Sequence, residues 1–420
     1  MTGPTTTHPR SGSWRWKVCA LLLLASAINY MDRQTLAGAS VRISREFTLT
    51  QTRYGEIEAA FGYAFAAGSL VFGWMADRFE VRWVYATVLA LWSVAGVMTG
   101  WASDHSQLLL CRAALGFFEA GHWPCAVRTT RLILADRERS LGNGLLQGGA
   151  TFGAIITPLM LPLMMGPGVG GWRTPFQWIG LAGLAWLLPW LMLVRRGDLP
   201  PTGNLHKNPA ASRMEFLRLI LSRRMLAILL MISCINTTWQ VLRAWLPKFL
   251  QEGRGFSEGF ALRFNSLWFL AADVGCLAAG STAVLLVSGK RSPAKARCLV
   301  FLICGLLSAT ALLIPWMTNG PGMLAVLLLV AAGSLGVFPL YHTATQSLSG
   351  AHQGKVTGVA GVAAWIIPAQ AQHLFGVLAD RTHSMDIGLA LAGILPLLAL
   401  VPFWFVENTR ATPPSSPVFP

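Results

Sequence analysis

The chain has 420 residues, of which 54% are hydrophobic and only 12% are charged, and its formal net charge is +15. Soluble domains carry about 25% charged residues, so this composition excludes a protein whose surface mostly faces water. A strong positive charge would indicate nucleic acid in a soluble protein. In a membrane protein it follows from basic cytoplasmic loops, so no nucleic-acid partner is expected.

Apolar stretches long enough to cross a lipid bilayer, which takes roughly 20 residues, recur along the whole chain. The first follows a basic N-terminus, and Ala25-Ser26-Ala27 within it resembles a signal-peptidase site. Because apolar character resumes after Asp32-Arg33 and continues to about Ser40, we interpret this stretch as a retained membrane helix. The predicted spans are 17–40, 55–76, 83–103, 107–131, 142–165 and 174–194, followed by 223–249, 264–288, 297–317, 322–347, 356–379 and 386–408.

These spans fall into six plus six around a polar stretch that contains Pro200-Pro201. We predict an all-α membrane fold of twelve transmembrane helices in two six-helix bundles, over residues 1–194 and 223–420, joined by a cytoplasmic linker over 195–222. With both termini in the cytoplasm, 22 of the 33 Lys and Arg residues lie on the cytoplasmic side, 8 lie outside and 3 lie within helices. That asymmetry predicts that both termini are cytoplasmic.

Charged residues inside the predicted spans are functional candidates, because each costs roughly 2.5–3.5 kcal/mol in the bilayer and should face a cavity or a partner. Tyr30 and Arg33 share one helix face by their spacing, and so do Arg112 and Glu119. The first and fourth spans could therefore present two arginines and two carboxylates to one polar cavity. The charged candidates are Arg33, Arg112 and Arg243 among the basic residues, and Asp32, Glu119 and Asp273 among the acidic ones.

A cavity of this kind suits an anionic substrate, because arginine binds a carboxylate through two parallel hydrogen bonds. A carboxylate whose burial and arginine contacts change can also change its protonation, which is the chemistry of proton coupling. An ion pair that only joins helices is the alternative for Asp32. Asp273, with Arg243 as a conceivable partner, is left open between the two. His122 follows Glu119 by three residues and could tune it, although a lone intramembrane histidine is more often a packing residue.

Motifs of metal sites and ATP-driven pumps are absent from the sequence, which contains no HExxH, CxxC or P-loop pattern and no evident nucleophile–base set. We therefore expect no metal, no cofactor and no enzymatic activity. The seven cysteines lie in or beside apolar stretches and are interpreted as packing residues. Transport is the predicted function. Anion exchange or uniport with structural carboxylates remains an alternative, and a non-transporting membrane sensor is a remote one.

Several stretches resemble a known family, the major facilitator superfamily. Gly73-Trp-Met-Ala-Asp77-Arg78-Phe-Glu80-Val-Arg82 resembles its G-x-x-x-D-R-x-G-R-R loop, with Glu80 where the family has glycine. Within the superfamily, Asn29-Tyr30-Met-Asp32-Arg33 looks like the first-helix signature N-Y-x-D-R of the anion:cation symporter family. The stretch from Arg112 to Pro124 resembles its fourth-helix pattern R-x-x-x-G-x-x-E-x-x-x-x-P, and Ala271-Ala-Asp273-Val-Gly275 is similar to the hexuronate and sugar-acid transporter branch.

The resemblance implies a secondary active transporter of the cell inner (plasma) membrane. By alternating access it would couple protons to uptake of an organic anion such as a hexuronate or other sugar acid, with a monomer as the expected state. It implies proton coupling at Asp32 and Glu119 and a conformational loop at Gly73, Asp77, Arg78 and Arg82. Asp273 and His122 are possible additional site residues because of their positions within the spans. The implied substrate contacts are Tyr30, Arg33, Tyr63, Arg112 and Gln147, with Trp365, Gln370 and Gln372 as candidates in the C-terminal half.

Overall fold

A computed structural model describes residues 12–201, 218, 220–288, 292–346 and 353–409. Helices account for the regular structure of these residues, and no β-strand occurs among them. The first seven helices are α1 (Gly12–Glu46), α2 (Gln51–Arg78), α3 (Val81–Thr99), α4 (His105–Glu119), α5 (His122–Ile133), α6 (Asp136–Met164) and α7 (Arg173–Leu193). They are followed by α8 (Arg223–Lys248), α9 (Glu258–Ser288), α10 (Pro293–Ala309), α11 (Pro321–Gly336), α12 (Phe338–Gln346), α13 (Gln353–Thr382), α14 (Asp386–Leu398) and α15 (Leu400–Asn408).

Every predicted span coincides with a helix or with two consecutive helical segments. Ten segments in the described part of the chain are long and apolar enough to cross a membrane by length and composition. Helix α1 is outside that set, because Asp32, Arg33 and other polar residues lower its hydropathy. The fourth span is outside it too, because the helix is interrupted between Glu119 and His122 into segments of 15 and 12 residues.

The chain divides into two compact units. Unit 1 comprises Met1–Leu205, Gln240–Leu270 and Trp365–Gly388, and unit 2 comprises His206–Trp239, Ala271–Ala364 and Leu389–Pro420. The bundle boundaries given above stay a prediction. The linker positions 202–217 and 219, and both termini whose location was predicted, lie outside the described residues.

Within unit 1, helix α1 packs along α6, α2 along α4 and α3 along α7. The first of these contacts depends on glycine. A Cβ atom at Gly149 or Gly153 of α6 would collide with the backbone carbonyl of Leu23 or Ala27 on α1. Membrane helices without bulky side chains at their contact approach closely enough for extensive van der Waals packing. These two glycines therefore let α6 pack closely against α1, which carries Tyr30, Asp32 and Arg33 of the candidate site.

Unit 1 has two ends. The motif end is where α2 ends and α3 begins, at Arg78–Val81, and the far end is where α1 ends and α2 begins, at Glu46–Gln51. At the far end the carboxylate of Asp380 accepts hydrogen bonds from the backbone N–H groups of Gln51 at 2.9 Å and Thr52 at 2.8 Å. A carboxylate at this place satisfies otherwise unpaired donors and interacts favourably with the helix dipole. The start of α2 is thus fixed by a residue of α13.

In unit 2, α10 packs against α11 and α15. Phe301 of α10 stacks on Phe403 of α15, with ring centroids 4.3 Å apart. Arg297 and Glu407 form an ion pair at 2.6 Å between the same two helices, and the Glu407 side chain is fully buried. This pair is a partly buried salt bridge outside the candidate site, with the Arg297 side chain 17% exposed.

Candidate functional site

Arg33 of α1 and Glu119 of α4 form a buried ion pair. Arg33 Nε donates to Glu119 Oε1 at 2.5 Å, and the two side chains are 4% and 0% exposed. Removing one partner of a buried pair would leave an uncompensated charge, at a cost of about 3–5 kcal/mol. The two residues therefore hold each other in place at the centre of unit 1.

Aromatic rings surround the Arg33 guanidinium. Its Cζ atom lies 5.0 Å from the ring centroid of Phe65, 5.1 Å from Tyr30, 5.2 Å from Trp365 and 5.5 Å from Phe61. Rings at such distances attract a cation without using its N–H donors. We call these four rings the aromatic cage. Arg33 Nη2 is buried and has no hydrogen-bond partner among the described residues, so one face of the guanidinium keeps a donor for an acidic group.

Asp32 and Arg112 lie in the same buried region. Asp32 interacts electrostatically with Glu119, Arg112 and Arg33. Within the described part of the chain, both Asp32 carboxylate oxygens and all three Arg112 guanidinium nitrogens are buried without a hydrogen-bond partner. Arg112 Cζ is 4.6 Å from the Phe61 ring, which also belongs to the aromatic cage. The structure thus brings together the two arginines and two carboxylates that were predicted to line one polar cavity.

A second buried ion pair, between Arg243 and Glu58, lies in the same cluster. Arg243 was a candidate from the sequence, whereas Glu58 was not. Arg243 Nη2 lies 3.1 Å from Glu58 Oε2, and the side chains are 3% and 1% exposed. Arg112 interacts electrostatically with both. The signal was available, since Glu58 is a carboxylate within the predicted second span. Arg243 was one conceivable partner of Asp273 from the sequence, and that suggestion stays a prediction. Arg243 contacts the carboxylate of Glu58, and Asp273 is half-buried.

Tyr63, Gln370 and Gln147 are exposed, in contrast to the buried charges. The Tyr63 hydroxyl donates to Gln370 Oε1 at 2.5 Å, which joins two residues that the resemblance assigned to substrate contact. Gln147 lies on α6 beside Gly144 and Gly148, where an added Cβ atom would meet no other atom within 4 Å. Substrate contact at these three positions stays a prediction.

His122 is buried between two hydroxyl groups. Its Nε2 is 3.0 Å from Ser26 Oγ and its Nδ1 is 2.8 Å from the Tyr85 hydroxyl. Both ring nitrogens are therefore engaged in contacts between helices. This arrangement favours the packing interpretation of His122, and its suggested effect on Glu119 stays untested.

Arginine side chains hold the loop at the motif end. Arg128 of α5 donates to the Asp77 carboxylate at 3.1 Å and to the Pro200 carbonyl at 3.0 Å, and it also contacts the Ala76 carbonyl. Arg82 donates to the carbonyl of Val194 at 2.6 Å. The loop is thus tied to α5 and to the chain that follows α7. Of the other motif residues, Gly73 is half-buried and Arg78 lies over the Trp74 ring at 5.2 Å.

The structure accommodates Glu80 at the position where the family usually has glycine. Glu80 has φ −63°, an ordinary value for any residue, so no glycine is needed there. Its Oε1 accepts a hydrogen bond from the Gly197 N–H at 2.6 Å, and Gly197 has φ +88°. The left-handed backbone that favours glycine therefore occurs at Gly197, and Glu80 connects the loop to it.

Residues 22–371 match the sequence model described as Major Facilitator Superfamily. The chain is 29% identical over 414 residues to a probable L-galactonate transporter of Escherichia coli (strain K12), covering 94% of this chain and 89% of that protein. It is 28% identical to a probable sulfoacetate transporter of Cupriavidus necator, covering 91% of each. It is 25% identical to a hexuronate transporter of Escherichia coli (strain K12), covering 94% of each.

Solved structures with similar folds include a bacterial homolog of the human lysosomal transporter Spinster, in an inward-facing and unoccupied conformation. Its TM-score is 0.75 at 17% identity, covering 96% of this chain and 100% of that chain. The D-xylose-proton symporter has a TM-score of 0.72 at 15% identity, covering 95% of this chain and 99% of that chain. At these identities the likeness concerns the fold alone, and it confirms the predicted fold class.

Proposed function

The chain belongs to the major facilitator superfamily, and on this premise we propose that it couples protons to the uptake of a sugar-acid-like organic anion. It is a multi-pass membrane transporter and not an enzyme. The relatives described above are named for galactonate, sulfoacetate and hexuronate, all of which are small organic acids. We propose a hexuronate or another sugar acid as the substrate class.

The main support for this proposal is the environment of the Arg33 guanidinium. It is fixed by the aromatic cage and by Glu119, and its Nη2 has no partner among the described side chains. A guanidinium binds a carboxylate through paired N–H donors. The substrate carboxylate would bind Arg33 at the cage, with Tyr30 as part of its wall and the Tyr63–Gln370 pair as hydroxyl contacts.

Proton coupling follows from competition for Arg33. While Glu119 is ionised it occupies the Arg33 Nε donor, and the charges of the two side chains cancel. An incoming carboxylate adds a negative charge to a buried site, which is unfavourable unless a proton accompanies it. Protonation of Glu119 removes that charge and weakens its hold on Arg33. Asp32 interacts electrostatically with Arg33 and Arg112. Its protonation would therefore also respond when Glu119 takes up a proton.

The two ends of unit 1 give the proposed orientation of the protein in the membrane and the proposed route of the substrate. We place the motif end in the cytoplasm, with both termini cytoplasmic and the protein in the inner (plasma) membrane. The far end then faces outward. There Arg42 binds Glu258 through two hydrogen bonds of 2.8 and 2.7 Å, and Asp380 caps α2. These contacts would part when the substrate enters and form again when it leaves inward. Each copy of the chain carries all of these residues, so a monomer suffices.

Uptake in proteoliposomes tests the function. Purified protein with an imposed inward proton gradient should accumulate radiolabelled galactonate or galacturonate, and adding substrate without a gradient should make the external medium alkaline. Uptake without alkalinisation would replace the symport proposal with exchange or uniport. If a thermal-shift screen of hexuronates, aldonates and other carboxylates detects no binding, the proposed substrate class is wrong.

A further inference from the structure

The fourth predicted span is broken beside Glu119, the proposed proton site. Helix α4 ends at Glu119 and α5 begins at His122, so the last residue of a helix carries this carboxylate. Pro124 is the third residue of α5. Because proline has no N–H to bond the carbonyl four residues earlier, it interrupts a continuous helix at that point. The orientation of Glu119 therefore also depends on what holds the start of α5 in place.

His122 connects the start of α5 to two other helices. Its Nε2 is 3.0 Å from Ser26 Oγ of α1, and its Nδ1 is 2.8 Å from the Tyr85 hydroxyl of α3. The His122 side chain is fully buried, and Arg33 of α1 acts on it electrostatically. A buried ring with partners at both nitrogens cannot turn without leaving polar groups unpaired, which is unfavourable. The ring therefore fixes α5 against α1 and α3.

Two contacts attach α1 to the broken helix, one on each side of the break. Arg33 contacts Glu119, the last residue before the break, and Ser26 contacts His122, the first residue of the helix after it. Ser26 and Arg33 are seven residues apart, close to two helical turns, so they share one face of α1. The contact between Ser26 and His122 thus helps to set how closely Glu119 meets Arg33.

The Glu119 carboxylate is held on one side. Its Oε1 accepts the hydrogen bond from Arg33, while its Oε2 is buried without a hydrogen-bond partner among the described residues. The other charged groups that act on it electrostatically are Arg112, Arg243 and Asp32. A hydrogen bond from a cation favours the ionised form of a carboxylate. A small displacement of Glu119 away from Arg33 would therefore make proton binding easier.

We propose that His122 is a positioning residue for proton coupling, which holds Glu119 against Arg33 and thereby sets the pH range of transport. This inference rests on the proposed function, in which Glu119 is the proton site. His122 acts through its contacts with Ser26 and Tyr85, and the transported proton binds to the Glu119 carboxylate.

The pH dependence of uptake tests this role. Uptake of radiolabelled galactonate or galacturonate is measured in proteoliposomes with a constant pH difference across the membrane and a series of external pH values. In His122→Ala, Arg33 should hold Glu119 less firmly, so Glu119 should take up its proton at a higher external pH. The pH midpoint of uptake should move upward by about 0.5–1 unit.

Two milder variants keep the test decisive if His122→Ala fails to fold. His122→Asn keeps a polar group near the place of Nδ1 and should move the midpoint less than His122→Ala. Tyr85→Phe removes the hydroxyl that contacts Nδ1 but keeps the ring, and it should move the midpoint in the same direction. Arg297→Gln, which breaks the ion pair in unit 2, is the control for general loss of stability. It should lower the melting temperature and leave the midpoint unchanged.

Substrate counterflow shows whether His122 acts through Glu119. Counterflow should survive in Glu119→Gln, and adding His122→Ala should leave its pH profile as it is in Glu119→Gln alone. If the double variant has a different pH profile, His122 acts independently of Glu119 and the positioning role is overturned.

The outcomes distinguish this inference from the proposed function. If the wild type shows proton-driven uptake but the folded variants of His122 and Tyr85 keep its midpoint, or move it to lower pH, the positioning role is wrong and the proposed function stands. An equal shift in Arg297→Gln would also overturn the positioning role. If the wild type accumulates neither anion in response to the proton gradient, the proposed function fails, and the positioning role fails with it. An upward shift in the His122 and Tyr85 variants alone supports the inference.

Discussion

Arg33 Nε lies 2.5 Å from Glu119 Oε1, and this contact joins α1 to α4 between residues 86 positions apart in the chain. The guanidinium that we propose as the substrate contact and the carboxylate that we propose as the proton site are therefore one hydrogen-bonded pair. A change in the charge of one acts directly on the other. Substrate binding and protonation can be coupled through this pair without a longer pathway.

Replacing Arg33 with alanine should weaken substrate binding about a hundredfold or more. A hydrogen bond to a charged group is worth about 1.5–3 kcal/mol, and a guanidinium makes two to a carboxylate. Arg33→Lys should also bind poorly, because an ammonium keeps the charge but lacks the planar pair of donors. Titration calorimetry measures both. Near-normal affinity in Arg33→Ala would rule out Arg33 as the substrate contact.

Glu119→Gln should abolish proton-driven accumulation while counterflow between substrate pools survives. The amide keeps the size of the side chain but cannot gain or lose a proton, so substrate exchange becomes independent of the gradient. Glu56→Gln is the matched control, since Glu56 is a carboxylate of α2 whose side chain is 39% exposed. Both transport modes are measured in proteoliposomes. Unchanged accumulation in Glu119→Gln would remove Glu119 from the coupling mechanism.

Adjacent glycines of α6 should respond in opposite ways to alanine. A methyl group at Gly149 would collide with the Leu23 carbonyl, whereas one at Gly148 would meet no atom within 4 Å. Gly149→Ala should therefore destabilise the protein by about 1–3 kcal/mol through overpacking. Gly148→Ala should be neutral or stabilising by up to about 1 kcal/mol, because alanine favours helix more than glycine. Melting temperatures in detergent compare the two. Equal effects would mean that α1 and α6 do not pack as described.

Glu80→Gly, which restores the family's usual residue, should destabilise the loop at the motif end. The variant loses the hydrogen bond from Gly197 and gains backbone freedom in the unfolded chain, each worth about 1 kcal/mol. Glu80→Gln keeps an acceptor oxygen and should retain most of the stability. Hydrogen exchange of residues 78–82 gives the local readout. Slower exchange in Glu80→Gly than in the wild type would contradict the role given to Glu80.

Acid should remove a stabilising contact at the far end. Hydrogen bonds from Arg173 and Trp172, each 2.7 Å long, hold the pKa of the Glu46 carboxyl below its usual value. A lowered pKa in the folded state stabilises the protein above the unfolded pKa of about 4.3, and this contribution disappears as the pH falls through the folded pKa. Wild type should melt above Glu46→Gln at pH 7, with the difference vanishing towards pH 3. The pair is partly exposed, so the difference should be modest. A constant difference over this range would contradict the ionic role.

Much of this protein follows from short-range patterns in its sequence. The length of apolar stretches determines the spans, and the helical period puts Tyr30 with Arg33 and Arg112 with Glu119 on common faces. A charge within an apolar stretch marks a functional candidate for the same local reason. These rules identified Asp32, Arg33, Arg112 and Glu119, and the structure brings the four together.

Contacts between residues far apart in the sequence are determined only by the tertiary structure. The aromatic cage needs Trp365 beside Arg33, the ion pair of Arg243 needs Glu58, and the loop needs Gly197 beside Glu80. Apolar burial in a bilayer is non-directional and does not specify which helix faces which. Close approach at small residues and satisfaction of buried charges make that choice. Both depend on the complete set of neighbouring helices, which no single stretch of the sequence contains.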